Sequence, residues 1–336
     1  MKKEYRRWVT MAEVAEEAGV SLITVSRVIR TPEKVAKATR EKIQTIIDKL
    51  GYVPNEGAGD LSSQQNRTVA AFIPTLTGSA FTSTIEGLST RLRAANHQLL
   101  FACTDYSRDK EEDFIVTMLR RRPAGLVLTS TQHTSEASKL LKSCGIPIVE
   151  VWELPYTSVH HAVGFSNHNA ALAMVEYLYK SSRQRIGFLG NSKTSIRSQQ
   201  RFLGYQEACR RFGNAQFRKI PDTTAPNNSK YGAQDFAALM QKWPDTDAIF
   251  CANDTIALGA LSEAQRMGLK VPDDIAIAGF GDFEFANEFG VGLTTVRVPG
   301  FEIGELAAQL ILNSSSSNES PQQIDVGYEI IRRNTA

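Results

Sequence analysis

Along the opening stretch of the chain the apolar residues fall at helical spacing. Met11, Val14, Ala15 and Ala18 line one face, as a period of 3.6 requires. Thr10, with Glu13 three residues on, makes the reciprocal box that opens a helix, and Gly19 is the residue that stops one. Val20 fills the turn. Ser21 then caps a second helix carrying Ile23, Thr24, Val25, Ser26, Arg27, Val28 and Ile29. A third helix is predicted from roughly Lys37 to Leu50, with Ile43, Ile46, Ile47 and Leu50 as its buried stripe and Gly51 as its stop. Two short helices across a tight turn, the second opening on small and polar side chains, form a helix-turn-helix.

From Arg67 the pattern changes to short apolar runs alternating with amphipathic helices. Val69–Ile73, Leu99–Cys103, Gly125–Leu128 and Ile148–Val151 read as buried strands. Helical patterns near Phe81–Ala95, Lys110–Arg121 and Glu136–Ser143 separate them. The alternation continues through Ala162–Phe165, Ile186–Leu189, Ala248–Cys251 and Ile275–Ala278. Such alternation predicts parallel, doubly wound sheets, and so many units suit two consecutive sheets better than one. Glu56–Asn66, rich in Gly and polar residues, reads as a linker, and the serine tract Ser314–Ser317 as a surface loop.

Composition changes this picture little. The chain has 336 residues and a net charge of only +2, so its basic residues matter by position. Lys2, Lys3, Arg6 and Arg7 precede the first helix, and Arg27, Arg30, Lys34, Lys37, Arg40 and Lys42 follow it. Beside a helix-turn-helix they are candidate phosphate contacts. Cys103, Cys144, Cys209 and Cys251 lack CxxC spacing and read as reduced, small hydrophobic residues. No apolar leader or membrane span is visible, so a cytoplasmic location is expected. Gly279-Phe280-Gly281 is not the glycine pattern of a dinucleotide site. His160, His161 and His168 lack supporting ligands for a metal, and no Ser/His/Asp set stands out. No enzyme, cofactor or metal site is expected.

Val9 to Ile29, then Thr39 to Ile43 and Leu50 to Asn55, resemble in order and spacing the headpiece of the LacI/GalR family of bacterial repressors. The resemblance implies an α-helical DNA-binding headpiece over 1–55 and a hinge over 56–66. Residues 67–336 would form an effector-binding and dimerisation domain of two α/β lobes, similar to periplasmic sugar-binding proteins. The chain would cross between lobes near His161, Phe289 and Gln323. One lobe would hold about 67–161 and 290–322, the other about 162–289 and 323–336. The implied partners are pseudo-palindromic double-stranded operator DNA, a small-molecule effector and a second copy of the chain. Nothing resembles a tetramerising heptad tail.

The same resemblance assigns residues. Thr10, Ser21, Leu22, Ile23, Thr24, Ser26 and Arg27 would meet DNA, with Arg27 reading a guanine and the apolar pair packing on thymine methyls. Asn55, Ala58 and Leu61 would serve the hinge, with Leu61 as a minor-groove wedge. Gly59 and Asp60 depart from the usual hinge pattern, since glycine weakens a helix and a carboxylate is ill placed near phosphates.

In the lobes, Thr75, Phe81, His133, Glu150, Trp152, Arg201, Asn253, Phe280 and Asp282 would meet the effector. Most of these stand at strand C-termini, where open α/β sheets bind ligands. Arg201 would hold an anionic or hydroxyl group, Asn253 would bond hydroxyls, and Phe81 or Phe280 would cover an apolar face; Asn253 and Asp254 could instead cap the following helix. Gly281 stands where sugar-binding members carry an acid. Val149–Val151, Leu128-Thr129 with His133-Thr134, and Ala162–Phe165 resemble segments of gluconate-type repressors, so a sugar acid is the expected effector. A neutral sugar or a purine is the rival within regulation; a cytoplasmic solute-binding protein is the rival outside it.

Overall fold

The computed structural model describes residues 8–54, 66–76, 81–155, 160–193, 195–213, 216–222, 227–287, 292–314 and 320–336. It divides into two compact units, Met1–Asn66 and Arg67–Ala336.

The first unit holds helices α1 (Met11–Ala18), α2 (Leu22–Arg30) and α3 (Lys37–Leu50), with a 3-10 turn at Pro32–Lys34. The Thr10 amide and hydroxyl donate to Glu13 Oε2 at 2.6 and 2.8 Å, and the Glu13 amide donates back to Thr10 Oγ1 at 3.3 Å. Gly19 ends α1 at φ 64°, a left-handed backbone that glycine adopts without strain. Val14, Ala15, Ala18, Val25, Val28, Ile43, Ile47 and Tyr52 form the buried core. Ile46 and Leu50 are only partly buried at its edge.

The second unit contains two parallel sheets. The first has strands β1 (Thr68–Ile73), β2 (Gln98–Cys103), β3 (Gly125–Leu128), β4 (Ile148–Val151), β5 (His161–Gly164) and β11 (Gln323–Asp325), in the order β11-β5-β4-β3-β1-β2. The second has β6 (Ile186–Leu189), β7 (Arg218–Lys219), β8 (Ala248–Cys251) and β9 (Ala276–Ala278), in the order β7-β6-β8-β9. Bridges from Ala278 to Thr294 and from Gly281 to Arg297 add β10 (Thr295–Arg297), which pairs antiparallel with β12 (Glu329–Ile331). The helices are α4 (Phe81–Ala94), α5 (Arg108–Leu119), α6 (Ser135–Ser143), α7 (Asn167–Lys180), α8 (Ile196–Arg211), α9 (Ser229–Lys242), α10 (Asp254–Arg266) and α11 (Gly300–Asn313). α4 and α11 approach through glycine: a Cβ on Gly87 would stand 2.1 Å from the Phe301 carbonyl oxygen.

These pairings move the crossings between lobes. His161–Gly164 pairs with β4 and β11 in the first sheet, so the chain leaves that lobe after Gly164 rather than at His161. β10 still belongs beside the second sheet, which places the return after Arg297 rather than near Phe289. β11 lies in the first sheet, and the last crossing falls between Asp325 and Glu329, beyond Gln323. An apolar run announces a strand, but its sheet is decided by partners far along the chain.

Candidate functional site

In the first unit, α2 presents its opening turn outward. Ser21 caps it, accepting from the Thr24 amide at 3.3 Å, and the two hydroxyls lie 2.9 Å apart. Leu22 and Ile23 are 51 % and 64 % exposed, an unfavourable place for large apolar groups unless a partner covers them. Arg27 is exposed one turn on, and Ser26 and Thr24 are partly buried. Thr10 spends its hydroxyl on the capping box. Of the basic residues expected at phosphates, Lys42 donates to the Ala18 carbonyl at 2.8 Å, and Arg40 reaches the Pro32 carbonyl at 3.4 Å. Lys37 stands 3.9 Å from Glu41. Asn55, Ala58 and Leu61, with Gly59 and Asp60, lie outside the described residues.

In the second unit, one face of α8 carries two arginines a turn apart, Arg197 and Arg201, above a row of buried rings. Phe81 meets Trp152 at 5.2 Å, Trp152 meets Phe165 at 6.1 Å, and Phe165 meets Phe280 at 6.1 Å. The Arg197 guanidinium stands 5.1 Å above Phe81, and that of Arg201 stands 3.7 Å above Phe280. This face of each ring is electron-rich and attracts a cation. Arg201 Nε donates to Asn167 Oδ1 at 2.8 Å, and its NH1 donates to the Ala252 carbonyl at 2.6 Å. Asn167 Nδ2 in turn donates to the Trp152 carbonyl and to Glu153 Oε2, at 2.9 and 2.8 Å. Arg197 NH1 donates to the Thr129 carbonyl.

Burial works against every charge in this cluster. It holds Arg201 down to about 9, with the neighbouring Arg197 lowering it further. It pushes Glu153 up to about 7, although Asn167, Arg197 and Arg201 all favour its ionised form. Glu153 is the carboxylate both cations face, with Glu111 also acting on Arg197 and Asp254 on Arg201; burial works against ionisation of Glu153, so the guanidiniums keep capacity for a bound anion.

A cleft of about 610 Å³ opens beside them, within the usual range for a small-molecule site. Pro74, Thr104, Glu111, Thr129 and Ser130 line it from the first lobe; Ser192, Lys193, Arg197 and Phe202 line it from the second.

The structure redistributes the residues expected at the effector. Arg201 joins the cluster, but of the two α8 arginines it is Arg197, which the sequence reading missed, that lines the cleft. Phe280, Phe81 and Trp152 are buried supports: Phe280 lies under Arg201, and Trp152 donates to Thr84 Oγ1 at 2.9 Å. Asn253 accepts from the Ile256 amide at 2.8 Å and is the cap of α10. Asp254 is a buried brace rather than a cap, accepting from Thr295 Oγ1 at 2.6 Å and the Phe283 amide at 2.8 Å. Asp282 is engaged by Arg297 and Arg333, each at 2.7 Å, because strands β10 and β12 bring both cations to it. Gly281 takes φ 130°, and a Cβ there would stand 2.3 Å from the Phe283 ring, so any side chain at this position would be strained and crowded. Thr75 is partly buried.

His133 and Glu150 form a separate buried group. His133 Nδ1 lies 2.5 Å from Glu111 Oε1, and Nε2 lies 3.3 Å from Glu150 Oε1. Burial alone would lower the imidazole, but the two glutamates outweigh it and push it up to about 9. Glu150 thus serves His133. His168 pairs with Glu207 at 3.1 Å, and His161 Nδ1 accepts from the Gln322 amide at 3.2 Å.

A helix-turn-helix on one unit and a charged cleft in a two-lobed α/β unit define a class: DNA-binding regulators that respond to a small molecule. Residues 10–55 match bacterial regulatory proteins of the lacI family, and residues 175–336 match a periplasmic binding protein-like domain. The HTH-type transcriptional regulator IdnR of Escherichia coli is 35 % identical over 97 % of this chain and 98 % of its own length. The regulator GntR of Pseudomonas aeruginosa is 34 % identical over 96 % and 94 %. A LacI-family transcriptional regulator from Silicibacter pomeroyi superposes with a TM-score of 0.88 at 30 % identity, covering 97 % of this chain and 99 % of that one. The chain belongs to the lacI family of bacterial transcriptional regulators, which are DNA-binding proteins rather than enzymes.

Proposed function

We propose that this repressor controls sugar-acid catabolic genes and that a gluconate-like acid sets its affinity for operator DNA. The observation that carries this reading is the pair Arg197 and Arg201, a turn apart on α8, with Glu153 as their partly neutralised carboxylate. A neutral sugar offers these guanidiniums only neutral acceptors, whereas a carboxylate accepts charge-assisted bonds from them. The segments shared with gluconate-type repressors point the same way.

The repressor works as a homodimer in the cytoplasm on a pseudo-palindromic operator, with Leu22, Ile23 and Arg27 of each copy facing base edges. Strand β2 offers the surface for the second copy. It is the edge of its sheet, and it exposes Leu100 by 40 % and Phe101 by 48 %, where the neighbouring strand β1 is buried. Effector acts by binding one arrangement of the lobes better than the other and so shifting the DNA-competent population; induction is the direction proposed. Leu61 of the hinge acts as the minor-groove wedge.

Calorimetric titration of gluconate and glucose, followed by operator binding with and without each, tests the reading. Gluconate should bind and release the operator. A protein that binds glucose and ignores gluconate refutes the sugar-acid assignment and leaves the repressor standing.

A further inference from the structure

Two side chains in the cleft are more than nine-tenths buried, oppositely charged, and incompletely used. Arg197, 6 % exposed, spends NH1 on the Thr129 carbonyl. Its other guanidinium nitrogens have no hydrogen-bond partner among the described residues. Glu111, on α5 and 4 % exposed, spends Oε1 on His133, and its Oε2 has no partner among the described residues. Both line the same cavity. Their unpartnered atoms are therefore open to the cleft, where a ligand's polar groups can reach them.

From this juxtaposition we infer that the cleft is polarised along its length and takes an open-chain polyhydroxy monocarboxylate in one direction, its carboxylate on Arg197 and its far hydroxyls donating to Glu111. The inference rests on the sugar-acid reading and adds an orientation and a minimum reach.

His133 is the positioning residue. It holds Glu111 Oε1 from one side while Glu150 meets its other nitrogen, so Glu111 is held in place while one oxygen remains for the ligand. Ser130 and Gln132, on the same loop as His133, line the cleft beside it. Of the other cations lining the cleft, Arg108 is exposed and donates to Gln132 Oε1 at 2.7 Å, and Lys193 is exposed; solvent screens both more than the buried pair. A second carboxylate at the far end of a ligand would therefore meet Glu111 with like charge, and a short acid would hold Arg197 without reaching Glu111.

The test is calorimetry on the full chain with D-gluconate, D-glycerate and D-glucarate as probes. Wild type should bind gluconate at least tenfold more tightly than either of the others. Glu111→Gln should weaken gluconate by about ten- to a hundredfold and change glycerate by less than twofold. A merely structural role for Glu111 would weaken both acids alike, and that result overturns the inference. The glucarate arm needs no variant: glucarate that binds as well as gluconate overturns the inference while leaving the sugar-acid reading intact. Failure of wild type to bind any of the three acids removes the sugar-acid reading itself, and the inference with it.

Discussion

Glu153 makes the effector affinity depend on pH, and the sign follows from its surroundings. Its carboxylate faces Asn167 on α7 and lies near Arg197 and Arg201 on α8. Burial raises it to about 7, so in the free protein it is half protonated at neutrality. A sugar-acid carboxylate entering this cluster repels the ionised form and tolerates the protonated one, so binding takes up a proton.

If only the protonated form binds, affinity scales with its population. That population falls from about ten elevenths at pH 6 to about one eleventh at pH 8, so the dissociation constant should rise about tenfold across the range. The ligand carboxylate, with an ordinary value near 4, does not titrate there. Glu153→Gln keeps an acceptor for Asn167 and removes the charge. The variant should bind at pH 8 as wild type does at pH 6, with no slope between. Titrations in buffers of different ionisation enthalpy would count the protons directly. A wild-type affinity that is flat, or that improves as pH rises, refutes the coupling and with it the placement of the anion beside Glu153.

Other perturbations test separate parts of the structure. Arg27→Ala should cost roughly 1–3 kcal/mol on operator DNA and much less on random DNA; equal losses would make Arg27 a phosphate contact. Phe101→Asp, on the exposed edge strand, should shift the protein toward monomer in sedimentation and weaken operator binding, whereas an unchanged dimer would place the interface elsewhere. Gly87→Ala would set a methyl 2.1 Å from the Phe301 carbonyl oxygen and should destabilise the lobe by about 3 kcal/mol, read in denaturant melts. Asp282→Asn removes the partner of Arg297 and Arg333 and should cost about 1–3 kcal/mol of stability with little change in effector affinity. A large loss of affinity at unchanged stability would restore Asp282 as a ligand contact.

The sequence alone determined whatever depends on neighbours within a turn or a strand. Thr10 and Glu13, Gly19 and Ser21 specify helix ends through hydrogen bonds that close over three or four residues, and α3 spans the predicted Lys37–Leu50. Gly125–Leu128, Ile148–Val151, Ile186–Leu189 and Ala248–Cys251 were legible as strands because burial on both faces demands apolar runs, interrupted here only by Glu150. The crossing strands β10, β11 and β12 were not legible. They are three residues each, too short to show a pattern, and only partners far along the chain make them strands. Tertiary structure likewise decided the site. Arg201 was visible in its local pattern, but Arg197 is marked only by standing four residues earlier on the same helix face. Glu153 gains its meaning from Asn167 and α8. Asn253, Asp282, His133 and Glu150 looked available in sequence. Folding gave these four the Ile256 amide, Arg297 with Arg333, and each other, and none of the four lines the cleft.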